Sequence, residues 1–269
     1  MRDRRMVGER LSVVITTFNN ADTIGACLAS VAFADDIVVL DSGSADSTRE
    51  IAERARARVY VQAFAGYSAQ KQAAIQLALH RWVLLLDSDE TLPADAAQRI
   101  RTALAAPAVA GFELLRREWV FWRWQPGRAR LNHYVRLFDR EHARMSGHEV
   151  HESVEVDGPV ARLDVIIDHH GERDIAGRVD KANRYSSLQV ADRHTREPRA
   201  LRLRMVAYPT IAFARYYFLR GHWRGGWAGF IAARVHAFYA FLKYAKLYER
   251  RVSRRRGKGG PVEPERLQD

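Results

Sequence analysis

Cysteine is almost missing from this 269-residue chain: Cys27 stands alone. One thiol excludes an intramolecular disulfide and any multi-cysteine zinc site, so a reducing, cytosolic setting is the expectation. Long apolar runs are also missing. Even in the most hydrophobic region the longest stretch free of charge is Met205–Ala214, 10 residues, whereas crossing a bilayer takes about 20. The opening MRDRRMVGERLSVVITTF is basic, without the extended apolar core or cleavage site of a secretory signal. No internal repeat and no long low-complexity tract interrupts the chain. With 47% hydrophobic and 28% charged residues, it reads as a folded protein of one large α/β domain plus an appendage, or two modest domains.

Acid is scarce in one region only. Between Arg199 and Lys258 there are 15 Lys and Arg against the single Glu249, while residues 1–198 carry 27 basic and 28 acidic groups. The net charge of +11 therefore belongs to one segment. It marks a boundary near Pro198 and suits an anionic partner, phospholipid headgroups or nucleic acid.

What is present in the first half alternates. LSVVITTF (11–18), DIVVLDSG (36–43), RVYVQAF (58–64) and WVLLLD (82–87) read as buried strands. NADTIGACLASVAF (20–33), SADSTREIAERARA (44–57) and GYSAQKQAAIQLALH (66–80) read as the helices between them. Strands rich in Val, Ile and Leu separated by helices predict right-handed crossovers and a mainly parallel sheet covered on both faces. In such a sheet ligands bind beyond the carboxyl ends of the strands. Asp41 ends the second strand and Asp87 to Asp89 end the fourth, so these acids are expected to face one crevice. Each also has a plain structural reading: Asp41 as a turn residue before Ser42, Gly43 and Ser44, and Asp89 or Thr91 as the cap of a helix beginning near Pro93. Taken together, an Asp-x-Asp pair at a strand end supplies hard oxygen ligands for Mg²⁺ or Mn²⁺, which neutralises a diphosphate leaving group.

The stretches VVITTFNNADTIGACLASV, IVVLDSGSADSTREIA, GYSAQKQAAIQLA and WVLLLDSDE, in this order and spacing, resemble the family 2 glycosyltransferases, which have the nucleotide-diphospho-sugar (GT-A) fold. The likeness covers roughly residues 10 to 185. With the later YVRLFDRE, VHESVEVDGPVARL and DKANRYSSL, it is most similar to the lipopolysaccharide-core glucosyltransferase branch. The resemblance implies a nucleotide pocket lined by Thr16 and the loop after it, with Asp41 on the uracil or ribose. It places Lys71 near the base or phosphates, Asp87 on ribose or sugar hydroxyls, and Asp89 on the metal. Where the family often has Asn after the basic position, this chain has Gln72. The resemblance makes Glu152 the base of an inverting transfer, with Glu149 its rival. It gives His169, or the adjacent His170, to the metal or diphosphate. The donor implied is a nucleotide sugar, UDP-glucose, and the acceptor a lipid-linked or lipopolysaccharide-core saccharide at the cytoplasmic face of the inner membrane.

Other readings compete. HEVHE (148–152) fails as a zinc-protease motif because its histidines are three apart rather than four, although a zinc site among His148, His151, His169 and His170 stays open. REWVFWRW (117–124) reads either as a sugar-stacking surface or as an aromatic hairpin packed in a core. Residues 1–198 are expected to form the catalytic domain, 199–256 a basic aromatic helical segment at a membrane interface, and 257–269 a flexible tail. Trp, Tyr and Phe interleaved with Arg and Lys suit the headgroup layer of an anionic membrane. A polyprenyl-phosphate acceptor is the alternative substrate, but those relatives commonly add spanning helices. The processive Q-x-x-R-W pattern is matched no better than QPGRA (125–129), with Ala129 in place of Trp. Nucleic-acid binding is the alternative from another class, prompted by RRVSRRRGKGG (250–260); no nucleic-acid module accompanies it.

Overall fold

A computed structural model describes residues 8–146, 153–171, 174–191 and 198–255. The chain divides into two compact units, one of residues 1–118 and 131–171, the other of 119–130 and 172–269.

The first unit opens with β1 (Leu11–Thr17), α1 (Ile24–Ser30), β2 (Asp36–Asp41), α2 (Thr48–Arg54), β3 (Arg58–Val61), α3 (Tyr67–Gln76) and β4 (Trp82–Asp87). The strands lie in the order β3-β2-β1-β4, all parallel. Successive side chains of a strand point to opposite faces, and β1 sends apolar side chains to both. Val13 and Ile15 join Val39, Leu84 and Leu86 against Ile24, Cys27 and Leu28 of α1. Val14 joins Val38, Leu40, Val83 and Leu85 against Ala74 and Ile75 of α3. Continuous Val, Ile and Leu runs are what two buried faces require.

The helices are shorter than the sequence predicts, for a local reason. Asn19 takes φ +52°, and the polar residues before α1 bond to the next loop instead of opening a helix. The amides of Asn19, Asn20 and Ala21 donate to Ser44 Oγ, Thr48 Oγ1 and Asp46 Oδ2 at 2.8, 2.8 and 3.0 Å. Residues 20–23 and 44–47 are thereby held as paired loops at the carboxyl edge.

Beyond β4 come β5 (Glu90–Thr91), α4 (Ala96–Ala103), β6 (Gly111–Val120), β7 (Arg123–Trp124), β8 (Asn132–Asp139), β9 (Ala143–Met145), β10 (Val154–Val156) and β11 (Val160–His169). The sheet continues β4-β8-β6-β11-β5 and becomes mixed: β8 is antiparallel to β4 and β6, β11 is parallel to β6, and β5 is antiparallel to β11. The parallel run expected from the sequence is thus one half of a larger mixed sheet. Asp95, not Asp89 or Thr91, precedes the first turn of α4.

The second unit contains the β6–β7 hairpin tip and α5 (Ile175–Ala191), α6 (Leu201–Ala214) and α7 (Gly226–Arg255). Val120 and Phe121 pack with Ala228 and Ala232, while Val190 and Leu201 pack with Tyr244 and Leu247. Trp119 and Trp124 meet edge to face at 5.0 Å. Of the aromatic stretch, Phe121 is buried and Trp122 exposed.

Candidate active site

The strand directions assemble the site. Because β8 runs antiparallel to both β4 and β6, those two point the same way, and β11 runs with β6. The carboxyl ends of β1, β2, β4, β6 and β11 therefore share one edge of the sheet. That edge collects Thr16 and Thr17, Asp41, Asp87, Glu118 and His169 from distant parts of the sequence.

After β4 the chain makes a tight turn through Ser88 and Asp89 and returns as β5, which pairs with the end of β11, Glu90 opposite His169. This pairing places Asp89 Oδ2 3.2 Å from His169 Nε2. The amide of His170 donates to the Asp89 carbonyl at 2.9 Å. His169 Nδ1 lies 2.5 Å from Glu118 Oε2, and the two residues are register partners on β11 and β6. Burial alone would lower the His169 pKa, but hydrogen bonds and charge from Asp89 and Glu118 outweigh it and raise it to about 10.

The three carboxylates after β4 have different partners. Glu90 is fully buried; it accepts from the Asp87 amide at 3.0 Å and from Arg136 at 2.8 Å, with Arg116 at 3.4 Å. Asp87 is paired with Lys71 Nζ at 2.9 Å and with Arg136 at 3.2 Å. Burial would raise its pKa; Lys71 and Arg136 reverse that and hold the carboxyl well below the usual carboxylate range. Arg136 is itself buried in an otherwise apolar stretch of β8, and Arg116 bonds Glu118 Oε1 at 2.9 Å and lies over the Tyr134 ring at 4.6 Å. Two carboxylates thus face buried cations, and Asp89 faces a histidine.

Asp41 is fully buried and its carboxylate accepts from the amides of Gly43 and Ser44 at 2.8 and 2.7 Å, and from the Ser44 hydroxyl. Gly43, at φ +97°, permits that turn. Thr16 is half-buried beside Asp87 in register, and the buried Thr17 hydroxyl has no hydrogen-bond partner. Gln72 accepts from the Met145 amide at 2.9 Å, tying α3 to β9. Cys27 is fully buried, its thiol 3.7 Å from the Asp87 carbonyl; burial raises its pKa, with Glu90, Asp89 and Asp87 adding to the effect. Glu152, Glu149, His148 and His151 lie outside the described residues.

The Asp89–His169 spacing suits a metal. Neighbouring ligands of an octahedral Mg²⁺-type ion, each about 2.1 Å away, are about 3 Å apart, close to the 3.2 Å found. Among the described residues no cluster of three or more His, Cys, Asp or Glu side chains could hold an ion by itself. Two protein ligands suit an ion shared with a diphosphate, and Glu118 occupies the place of the carboxylate that orients a metal-binding histidine through its far nitrogen. Sequence reading named Asp87, Asp89 and His169 as candidates but not their neighbours Glu118, Arg116 or Arg136. The available signal was Arg136 within the apolar VRLF run of β8; β6, with Glu113, Arg116, Arg117 and Glu118 all on it, offered none.

Comparison with known proteins agrees with this architecture. The sequence profile of Glycosyl transferase family 2 matches residues 12–155. A lipopolysaccharide core biosynthesis glycosyltransferase, LpsC of Rhizobium meliloti, is 30% identical over 256 residues, 91% of this chain and 94% of that protein. An uncharacterized glycosyltransferase of Rickettsia felis is 29% identical over 90% of each. The mannosyltransferase PcManGT from Pyrobaculum calidifontis, solved with GDP-Man and Mn²⁺, superposes with a TM-score of 0.51 over 90% of this chain and 87% of its own, at 15% identity. That last likeness is one of fold.

Proposed function

This chain belongs to glycosyltransferase family 2, and from that premise we propose that it is an inverting, metal-assisted hexosyltransferase. It moves one glucose from UDP-glucose to a membrane-held saccharide of the lipopolysaccharide-core kind. The observation that carries the reading is the convergence of Asp89 Oδ2 and His169 Nε2 at the carboxyl edge of the sheet, 3.2 Å apart.

Asp89 and His169 would hold Mg²⁺ or Mn²⁺, which when bound supplies positive charge to a diphosphate as its bond to the sugar breaks. Glu118 fixes the His169 ring through Nδ1. Thr16 and Asp41 line the nucleotide side of the edge, and Asp41 keeps its loop in shape through Gly43 and Ser44. Lys71 and Asp87 hold each other, so Asp87 stays ionised and able to accept from ribose or sugar hydroxyls. Glu152, two residues before β10, removes the acceptor hydroxyl proton as that oxygen attacks the anomeric carbon.

The acceptor side is supported by the relative LpsC, named for lipopolysaccharide core biosynthesis. It is supported also by exposed apolar residues on the second unit, among them Val206, Leu219 and Trp227, in the segment that carries the net excess of positive charge. No helix among the described residues is long and apolar enough to cross a membrane. Contact at the cytoplasmic face of the inner membrane, through residues 199–256, fits both features.

The test offers the full-length chain a panel of nucleotide hexoses with a lipid extract, with and without chelator, and weighs the products. Transfer from UDP-glucose that stops on chelation is expected. A different preferred donor overturns UDP-glucose, and chelator-resistant transfer overturns the metal. Asp89→Asn should abolish metal-dependent UDP binding in calorimetry; unchanged affinity in the folded variant removes Asp89 from the metal site.

A further inference from the structure

Two acids and a histidine meet on one face of the sheet where β6, β11 and β5 run side by side. Glu118, His169 and Glu90 are register partners across the three strands, and residues directly opposite one another share a face. Arg116, two residues before Glu118 on β6, belongs to that face as well. Its guanidinium reaches a neighbour of each proposed metal ligand. Nε bonds Glu118 Oε1 at 2.9 Å, and the other oxygen of the same carboxylate holds His169 Nδ1. Nη1 stands 3.4 Å from Glu90 Oε1, and Glu90 follows Asp89 in the chain. Arg136 ties Glu90 to Asp87; Arg116 ties it to Glu118. The guanidinium is steadied in turn by the Tyr134 ring, whose centre lies 4.6 Å away. Arg117, between Arg116 and Glu118, points to the other face and pairs with Asp168 at 2.7 and 2.6 Å.

A planar fork of donors can hold two carboxylates at a set spacing, whereas an ammonium on a flexible stem is a point charge. Asp89 Oδ2 and His169 Nε2, 3.2 Å apart, therefore rest on two acids tied to one rigid side chain. Such a tie limits how far the two ligands can drift apart. That freedom does not matter equally to every ion. Mg²⁺ demands near-ideal octahedral geometry, while Ca²⁺ accepts a larger and more flexible set of oxygen ligands. Holding the pair still favours the smaller ion, and releasing it costs the smaller ion most.

We propose that Arg116 is a positioning residue that clamps Asp89 and His169 through Glu90 and Glu118, and that this clamp makes the site select Mg²⁺ over Ca²⁺. The proposal deepens the metal reading given above and rests on it. Glu118 orients one ligand; Arg116 sets the two ligands relative to each other.

The experiment titrates Mg²⁺ and, separately, Ca²⁺ into the full-length chain with UDP in a calorimeter, subtracting the heat of each ion with UDP alone. The native chain is compared with Arg116→Lys, Tyr134→Leu and Arg117→Gln, and circular dichroism establishes that each is folded. Arg116→Lys keeps the charge and loses the fork. Its Mg²⁺ affinity is expected to fall about tenfold and its Ca²⁺ affinity by no more than about twofold, so the ratio between the two narrows. General loosening of the protein would lower both affinities together. Tyr134→Leu leaves every charge in place and is expected to narrow the ratio by a smaller amount; it decides alone where Arg116→Lys does not fold. Arg117→Gln breaks a pair between the same two strands on the other face and is expected to leave the ratio unchanged. In a Glu118→Gln background, Arg116→Lys should cost less Mg²⁺ affinity than it does in the native chain, because one arm of the clamp is already cut. A native Mg²⁺/Ca²⁺ ratio in the folded Arg116→Lys and Tyr134→Leu chains overturns the clamp while leaving the metal reading standing. An equal narrowing in Arg117→Gln assigns the effect to strand pairing and overturns the clamp as well. A native chain that binds neither ion with UDP overturns both.

Discussion

Glu118 and His169 sit side by side at the ends of two parallel strands, the carboxylate 2.5 Å from Nδ1. The contact fixes the imidazole so that Nε2 points at Asp89, and it draws Glu118 between a histidine and Arg116. A ring held in this way is oriented before any ligand arrives.

Removing that hold is expected to weaken metal binding without removing a ligand. Glu118→Gln should lower Mn²⁺ affinity, measured by calorimetry in the presence of UDP, by about 10- to 100-fold. Affinity equal to that of the native chain in a folded variant would show that His169 is positioned by something else.

Binding and chemistry should separate at the proposed base. Glu152→Gln is expected to keep donor binding and lose about 10²-fold or more in transfer rate, the scale of general-base catalysis. Retained turnover there, with loss in Glu149→Gln, moves the base to the rival acid.

Arg136 neutralises two acids at once. Arg136→Met leaves the fully buried Glu90 with the Asp87 amide and, as its remaining cation, the more distant Arg116, and breaking a buried pair from one side costs about 3–5 kcal/mol. Replacing both partners, Arg136→Met with Glu90→Leu, should cost less than the single change. Urea denaturation of the three chains decides it; a loss below about 1 kcal/mol in the single variant would leave Glu90 balanced by other groups.

At the opposite edge of the sheet, Asp36 accepts from Ser12 Oγ at 2.7 Å, from Arg58 Nε at 2.9 Å and from the Leu79 amide at 3.1 Å. Burial would raise its pKa, but the bonds from Arg58, Leu79 and Ser12 lower it below the ordinary 3.8. A carboxyl depressed in the folded state adds stability that is complete above the unfolded value and disappears as pH falls through the folded one. Asp36→Asn should therefore cost about 1–3 kcal/mol at pH 7, and the gap to the native chain should close below about pH 3.8. A gap independent of pH in urea melts would mean that the carboxylate charge is not what Asp36 contributes.

Much of the catalytic half was legible because its signals are local. Five apolar residues before Asp87 identify a doubly buried strand, and repeated strand and helix patterns identify crossovers with a shared carboxyl edge. The sequence could not rank Asp87, Asp89 and Glu90, because the ranking depends on Arg136 and Arg116, which reach those acids from strands 26 to 49 residues away. The antiparallel return of β8 was equally hidden, since NHYVRLFD shows a buried strand but not its direction. Asp41 is the turn acceptor for Gly43 and Ser44 that one of its readings expects; its nucleotide contact is a proposal. The helix boundaries moved because Asn19, Asn20, Ser44 and Thr48 satisfy one another across two loops, a pairing that no local propensity encodes.

The enclosed thiol of Cys27 has a practical consequence. With no exposure and its ionisation suppressed, it should be inert to maleimide dyes under native conditions, so the chain behaves as though it had no cysteine at all. A cysteine introduced at Leu219, which is 79% exposed, would then be the sole labelled position, and the colour of an environment-sensitive dye there would report directly whether that surface enters lipid.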